Sequence, residues 1–141
     1  MILGIGTDLC NITRIKKVRE LFPARFETKI LSRNERNELR FRLDKDAYLA
    51  KRFAAKEAVY KAFNFMDQNT ITWHEIEILN DRDSGAPVVK LKGSCLEKFK
   101  AKLKSDFTGN IHLSLTDEYP YVMAYVIIEK LVKLKSEAFT N

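Results

Sequence analysis

The chain has 141 residues, the length of one domain, and 45% of them are hydrophobic, enough for one core. Lys plus Arg is 25 against 19 Asp plus Glu, and the net charge of +6 points to an acidic partner, leaving nucleic acid, anionic lipid, a phosphorylated cofactor and an acidic protein open. Two cysteines without a Cys-x-x-Cys pair and two isolated histidines argue against a zinc site and a disulfide framework, and no stretch approaches the ~20 apolar residues of a membrane span.

Ile2 to Gly6 reads as a short buried strand with Asp8 just past its end. That apolar start has no basic flank and is too short for a signal peptide, so a reduced, cytoplasmic setting is expected. Ile12, Ile15, Val18 and Leu21 have helical spacing, with Arg14, Lys16, Lys17 and Arg19 between them, and Pro23 limits that helix. Ser32-Arg33-Asn34-Glu35 is a capping-box pattern and predicts a helix to about Arg42. Asp44 or Asp46 caps a longer helix that ends near Phe63, followed by a turn over Asn64 to Asn69. Alternation over Thr70 to Leu79 predicts a strand with one buried face, Asn80 to Pro87 a loop, and Val88 to Leu91 a short strand. Ser94 to Glu97 repeats the capping-box pattern ahead of a basic helix to about Lys104. Ile111 to Thr116 and Tyr121 to Leu131 read as strands joined by a hairpin at Asp117 to Pro120, and Lys133 to Asn141 as a frayed end. Elements in this order, without a repeat or linker, predict a single α+β domain with a largely antiparallel sheet.

Two features carry chemistry. In Leu49 to Phe63, Ala50, Ala54, Ala58 and Ala62 form a small-residue stripe for close packing, and the neighbouring row is Leu49, Phe53, Glu57 and Lys61. Glu57 and Lys61 at i, i+4 read either as a surface pair worth ~0.2–0.5 kcal/mol or as a metal-binding carboxylate with a phosphate-holding lysine one turn away. A Mg²⁺ ion takes one or two protein carboxylates, so the second reading needs another acid; Asp8 is the candidate, and its other reading is a turn or helix cap. Gly4 and Gly6 before it let the backbone turn or approach closely.

Gly4-Ile5-Gly6-Thr7-Asp8-Leu9, followed by Arg14-Ile15, resembles the N-terminal signature of bacterial holo-acyl-carrier-protein synthases. Arg52-Phe53-Ala54-Ala55-Lys56-Glu57-Ala58, with Lys61-Ala62 after it, resembles that family's second and more specific signature. The similarity covers residues 1–131, which the resemblance makes the phosphopantetheinyl transferase domain, with 132–141 as a C-terminal tail. It implies an α+β homotrimer with sites between subunits. The implied reaction is Mg²⁺-dependent transfer of 4′-phosphopantetheine from coenzyme A to a serine of an acyl carrier protein, releasing 3′,5′-ADP in support of fatty acid biosynthesis. By the same resemblance Asp8 and Glu57 become Mg²⁺ ligands, Lys61 a pyrophosphate contact and Arg52 a contact to cofactor phosphate. Gly85 and Pro87 approach the adenine end from a neighbouring subunit, Thr116 lies in the cofactor-binding strand end, and Arg14 faces the carrier protein. Acyl carrier proteins are acidic, so Arg14, Lys16, Lys17, Arg19, Arg25 and Lys29 are candidates for steering.

Two departures stand out. The family's hairpin usually reads Ser-x-Ser/Thr-His, its histidine binding cofactor phosphates, where this chain has Ser114-Leu115-Thr116-Asp117; the turn after the second signature, usually glycine-rich, is Asn64-Phe65-Met66-Asp67. An aspartate beside a phosphate repels it unless a cation lies between them. Rival readings are a nucleic-acid-binding domain, from Arg33, Arg36, Arg40 and Arg42 diluted by Glu35, Glu38, Asp44 and Asp46, and a purely structural trimer.

Overall fold

A computed structural model describes residues 1–134. In chain order it contains β1 (Ile2–Asn11), α1 (Ile12–Leu21), α2 (Pro23–Ile30), α3 (Arg33–Leu39), α4 (Lys45–Ala62), a 3₁₀ turn (Trp73–Glu75), β2 (Ile76–Asn80), β3 (Pro87–Leu91), α5 (Gly93–Leu103), β4 (Phe107–Glu118) and β5 (Tyr121–Val132). The strands form two antiparallel sheets, β1-β5-β4 and the hairpin β2-β3. The expected α+β class with antiparallel pairing is therefore observed, divided between two sheets.

Helix α4 is the centre of the molecule. Its alanine stripe, Ala50, Ala54, Ala58 and Ala62, is fully buried and lies on β1. The glycines of β1 make that contact possible: a Cβ at Gly6 would overlap the carbonyl oxygen of Ala58, and one at Gly4 that of Ala62. Small residues on both sides bring strand and helix backbones together, and this fixes the chain segments that carry Asp8 and Glu57 against each other. Gly6→Ala is expected to cost about 1–3 kcal/mol or more, as overpacking against rigid backbone does, read as a lower urea midpoint; an unchanged midpoint would show that β1 can move away from α4.

The inner face of the three-stranded sheet supplies Val122, Ala124, Val126 and Ile128 to the core. The opposite face alternates with it. Pairing sets Leu9 across from Met123, Thr7 from Tyr125 and Ile5 from Ile127, and sets Thr116 across from Met123. Ile5, Leu9, Tyr121, Met123 and Tyr125 are exposed there.

Several boundaries differ from the sequence reading. Asp8 lies within β1, which continues to Asn11, because pairing with β5 extends to Asn11–Tyr121. Pro23 starts α2 at its first position as well as ending α1, which fits the missing N–H of proline. Helix α3 has the expected capping box but ends at Leu39. The strand expected from Thr70 begins only at Ile76, after the 3₁₀ turn. Ser94 is not a cap: Lys92 is, and the Ser94 backbone N–H and hydroxyl both donate to Glu75. Asp117 and Glu118 belong to β4, leaving Tyr119 and cis Pro120 as the turn. The carbonyl of Pro120 accepts the N–H of Ile12 at 2.8 Å, tying the hairpin to the start of α1. Residues 135–141 of the expected tail lie outside the described residues.

Candidate active site

Strand β1 and helix α4 bring Asp8, Glu57 and Lys61 together. Lys61 Nζ donates to Asp8 Oδ1 at 2.9 Å and to the Thr7 carbonyl at 2.9 Å. The Asp8 carboxyl is mostly shielded, while the Lys61 ammonium is half exposed. Burial raises the Glu57 carboxyl above the ordinary glutamate pKa, and the negative charge of Asp8 raises it further; the positive charges of Lys61 and Arg14 pull the other way. Two carboxylates thus crowd one another at a half-buried place, and the available cations relieve the repulsion only in part.

That arrangement fits a small divalent cation. Among the described residues no three His, Cys, Asp or Glu side chains gather into a metal-binding group, so an all-protein cage does not form there. Mg²⁺ does not require one, because it keeps water and takes phosphate oxygens beside one or two carboxylates.

Arg14 reaches this group through its charge, which acts on Glu57 and on the buried thiol of Cys10. Cys10 is pushed up to about 11 and Cys95 to about 12, both chiefly by burial, so neither is a ready thiolate at neutral pH. Both are buried, free packing residues.

Arg52, Pro87, Gly85 and Thr116 do not join the Asp8 group within one chain. Arg52 lies nine residues before Lys61, roughly 14 Å along the helix axis. It is only 3% exposed. Its Nη2 donates to Asn80 Oδ1 at 2.5 Å and lies 3.8 Å from Glu38, its guanidinium sits over the ring of Tyr48, and its Nε has no partner. Burial pushes the Tyr48 hydroxyl up to about 12, keeping it protonated. Arg52 lines a cavity of about 530 Å³ with Lys51, Asn80, Pro87 and Asp117 among its walls. Gly85 sits next to it in the β2–β3 loop at φ +72, a backbone conformation that favours glycine, and its carbonyl accepts from Asn80 Nδ2 at 2.7 Å. Thr116 is on the outer sheet face.

Three groups of side chains escaped the sequence reading. Lys51 pairs with Asp117 at 3.2 Å, supplying the cation that the acidic hairpin requires. Asn80 anchors Arg52. Lys56 is fully buried, donating to Glu35 at 2.7 Å and to the carbonyls of Ile30 and Trp73. Only the last had a visible signal, a lysine inside the alanine-rich stretch, and its partner is 21 residues away.

The basic faces are also redistributed. Arg19 is bound to Glu27 and Asp46 and drops out of the candidate steering residues. Arg25 and Lys29 line an apolar cavity of about 230 Å³ with Val18, Phe22 and Phe26. Of the acids on α3 that would dilute the arginines, Glu35 turns inward onto Lys56, whereas Glu38 accepts from Tyr48, pairs with Arg42, one of those arginines, and faces Arg52. His112 pairs with Glu129 at 3.0 Å on the outer sheet face. Trp73 packs between the rings of Phe53 and Tyr60. Among the described residues no helix is long and apolar enough to cross a membrane.

Comparison with known proteins adds independent information. Residues 4–124 match the 4′-phosphopantetheinyl transferase superfamily. The chain is 43% identical over 133 residues to a holo-[acyl-carrier-protein] synthase of Caulobacter vibrioides, covering 94% of this chain and 99% of that one. It is 40% identical to a protein of the same description from Phenylobacterium zucineum over 98% of this chain and 99% of that one. Among solved structures it resembles the holo-[acyl-carrier-protein] synthase of Neisseria meningitidis at TM-score 0.80 and 34% identity, covering 92% and 99% of the two chains. It also resembles that of Bacillus anthracis, solved in complex with coenzyme A (3′,5′-ADP), at TM-score 0.70 and 29% identity, covering 91% and 96%.

Proposed function

The chain belongs to the 4′-phosphopantetheinyl transferase superfamily and is an enzyme of its holo-[acyl-carrier-protein] synthase group, and on that basis we propose that it transfers 4′-phosphopantetheine from coenzyme A to a serine of an apo acyl carrier protein, releasing 3′,5′-ADP. The observation that carries this reading is the meeting of Asp8, Glu57 and Lys61 between β1 and α4. Asp8 and Glu57 are the residues that would hold Mg²⁺, and the ion when bound supplies positive charge for the pyrophosphate. Lys61 adds charge from one helical turn away. Its ammonium, already held by Asp8 and the Thr7 carbonyl, is pre-aimed at a phosphate oxygen that arrives beside Asp8. Little else is asked of the protein beyond positioning the serine hydroxyl in line with the phosphorus. Arg52 is the proposed contact to a further phosphate of the cofactor, with Gly85 and Pro87 near its adenine end; its buried, unpartnered Nε supports the assignment. We place the reaction in the cytoplasm, in support of fatty acid biosynthesis, and assign it to residues 1–131.

The carrier docks, in this reading, on Arg14 and the face beyond it. The cavity among Val18, Phe22, Arg25, Phe26 and Lys29 combines apolar walls with two cations, suited to an acidic helix with one apolar residue to bury. A single transfer assay separates the two roles. Lys61→Ala is expected to lower kcat by on the order of 10²–10³-fold, with little change in carrier affinity. Arg25→Ala is expected to raise the KM for carrier about 3–10-fold, most strongly at low salt, with kcat kept. A Lys61 variant altered only in carrier affinity would remove its phosphate role.

A homotrimer completes the site. Thr116 and the Arg52 cavity stand apart from the Asp8 group in one chain, and the exposed apolar face bearing Ile5, Leu9, Met123 and Tyr125 is suited to burial against another copy. Leu9→Asp is expected to shift the sedimenting species from trimer to monomer; an intact trimer would put the interface elsewhere.

A further inference from the structure

A second cluster of cations lies on α3, apart from the residues assigned to coenzyme A and Mg²⁺. Arg33, Arg36 and Arg40 stand at i, i+3 and i+7, and Arg40 continues the helical backbone as the α3 C-cap, so the three share one helix face about 10 Å long. With Lys45 at the start of α4 and Arg19 of α1 they line a cavity of about 430 Å³, together with one carboxylate, Glu27. The acids that could neutralise this cluster are committed elsewhere. Glu27 and Asp46 both hold Arg19, at 3.4 and 2.9 Å. Glu35 is fully buried on Lys56. Glu38 pairs with Arg42, and Asp44 caps α4 by accepting the Ala47 N–H. Among the described residues Arg33, Arg36, Arg40 and Lys45 have no ion-pair partner. Like charges gathered around one cavity repel each other, and Arg36 and Lys45 are partly buried, where water screens the repulsion less.

We propose that this cavity binds an oligophosphate chain, free or as the tail of a nucleotide, at a site separate from the coenzyme A site. Three features set the chemistry. Three of the four unpaired cations are arginines, whose planar fork of donors fits phosphate oxygens two at a time. The array is elongated, so it suits several phosphates in a row better than one. Leu39 is the apolar member of the walls, and among the described residues no aromatic ring lines them, so the phosphates are read and a base is not stacked. The one acid in the wall does not oppose the anion, because the Arg19–Glu27 pair is neutral as a unit. The inference does not rest on the coenzyme A reading: it needs only the unpaired cluster, and either can fail without the other.

The test is isothermal titration of the full-length protein with inorganic tripolyphosphate, at low salt and in EDTA. Saturable binding at one site per chain is expected. Arg36→Gln combined with Arg40→Gln is expected to weaken it about 100-fold, about tenfold for each charge-assisted contact removed. Lys61→Ala, a change in the coenzyme A site, is expected to leave it within about twofold of wild type, as an independent site does. Arg33→Gln combined with Arg40→Gln, both exposed, is the second variant should the first unfold, and an unchanged urea midpoint shows that either is folded. Adenosine triphosphate distinguishes the two sources: equal affinity makes the free chain sufficient, and tighter binding assigns the site to a nucleotide tail, each supporting the site when the double variant loses both ligands. If a folded double variant binds tripolyphosphate like the wild type, if coenzyme A or Lys61→Ala abolishes the binding, or if the wild type does not bind at all, the proposal fails. It fails equally if inorganic phosphate binds as tightly as tripolyphosphate. A double variant that keeps tripolyphosphate binding and instead raises the KM for the carrier would make these arginines a carrier contact.

Discussion

Replacing Glu57 by Gln is expected to abolish Mg²⁺-dependent transfer, by on the order of 10³-fold or more, while the protein stays folded. The two halves of this expectation have separate causes. Folding does not depend on the Glu57 charge: burial and the neighbouring Asp8 both raise its pKa, which means that the ionised carboxylate is disfavoured where it stands. Linkage gives the sign. A carboxyl whose folded pKa is raised above its unfolded value is stabilising in its protonated form, and that contribution is lost as pH rises through the folded value. Gln resembles the protonated form in shape and charge, so at neutral pH the variant is expected to be as stable as the wild type or slightly more so. Function depends on the charge, because an ion held by Asp8 alone loses half of its protein carboxylates. The measurement is a transfer rate at saturating Mg²⁺ beside a urea melt. A folded Glu57→Gln protein with full activity would remove Glu57 from the metal site.

Lys56→Met is the substitution expected to damage stability most, by about 3–5 kcal/mol, the usual cost of removing one partner of a buried ion pair. Lys56 and Glu35 are both 0% exposed. The ammonium has three acceptors, Glu35 Oε2, the Ile30 carbonyl and the Trp73 carbonyl, so its desolvation is met by hydrogen bonds on every side. Burial lowers the Lys56 pKa and Glu35 opposes that shift. Glu35 in turn accepts the backbone N–H groups of Ser32 and Ile78, and thereby joins α3 and β2 to α4. Met fills the volume but leaves the Glu35 carboxylate and two carbonyls short of a donor. Urea unfolding of the single variant, and of Lys56→Met combined with Glu35→Leu, separates the explanations. The double variant is expected to recover part of the loss, because no buried charge is then left unpaired. A single variant within about 1 kcal/mol of wild type would mean that water reaches the site and that the pair contributes little.

The parts of this molecule legible in the sequence are those whose signals are local. The alanine stripe and the β1 glycines pointed to a close helix contact, and they form one, because spacing of four and a missing Cβ are each visible in a short window. The Ser32 capping box held for the same reason, since both of its partners lie within four residues. The Ser94 box failed because Glu75, brought near by the fold from 19 residues away, supplied a better acceptor than Glu97. Helix α2 was hidden by reading Pro23 only as a stop, when proline suits a first helical turn equally well. In the site, Glu57 and Lys61 share one helix face and were legible as a pair, whereas their meeting with Asp8 needed the resemblance to a known family. Lys51 and Asp117 are 66 positions apart with no periodic relation, so the counter-charge to Asp117 became visible only once β4 lay beside α4.

The central claim, transfer of phosphopantetheine through the Asp8, Glu57 and Lys61 group, is tested most directly by intact-mass spectrometry of a purified apo acyl carrier protein incubated with this protein, coenzyme A and Mg²⁺. The account predicts a gain of one phosphopantetheine on the carrier, about 340 Da by its chemical formula for this group transfer, abolished by EDTA and by Glu57→Gln. An unchanged carrier mass, with the protein folded and the same carrier modified by a known transferase, would contradict it.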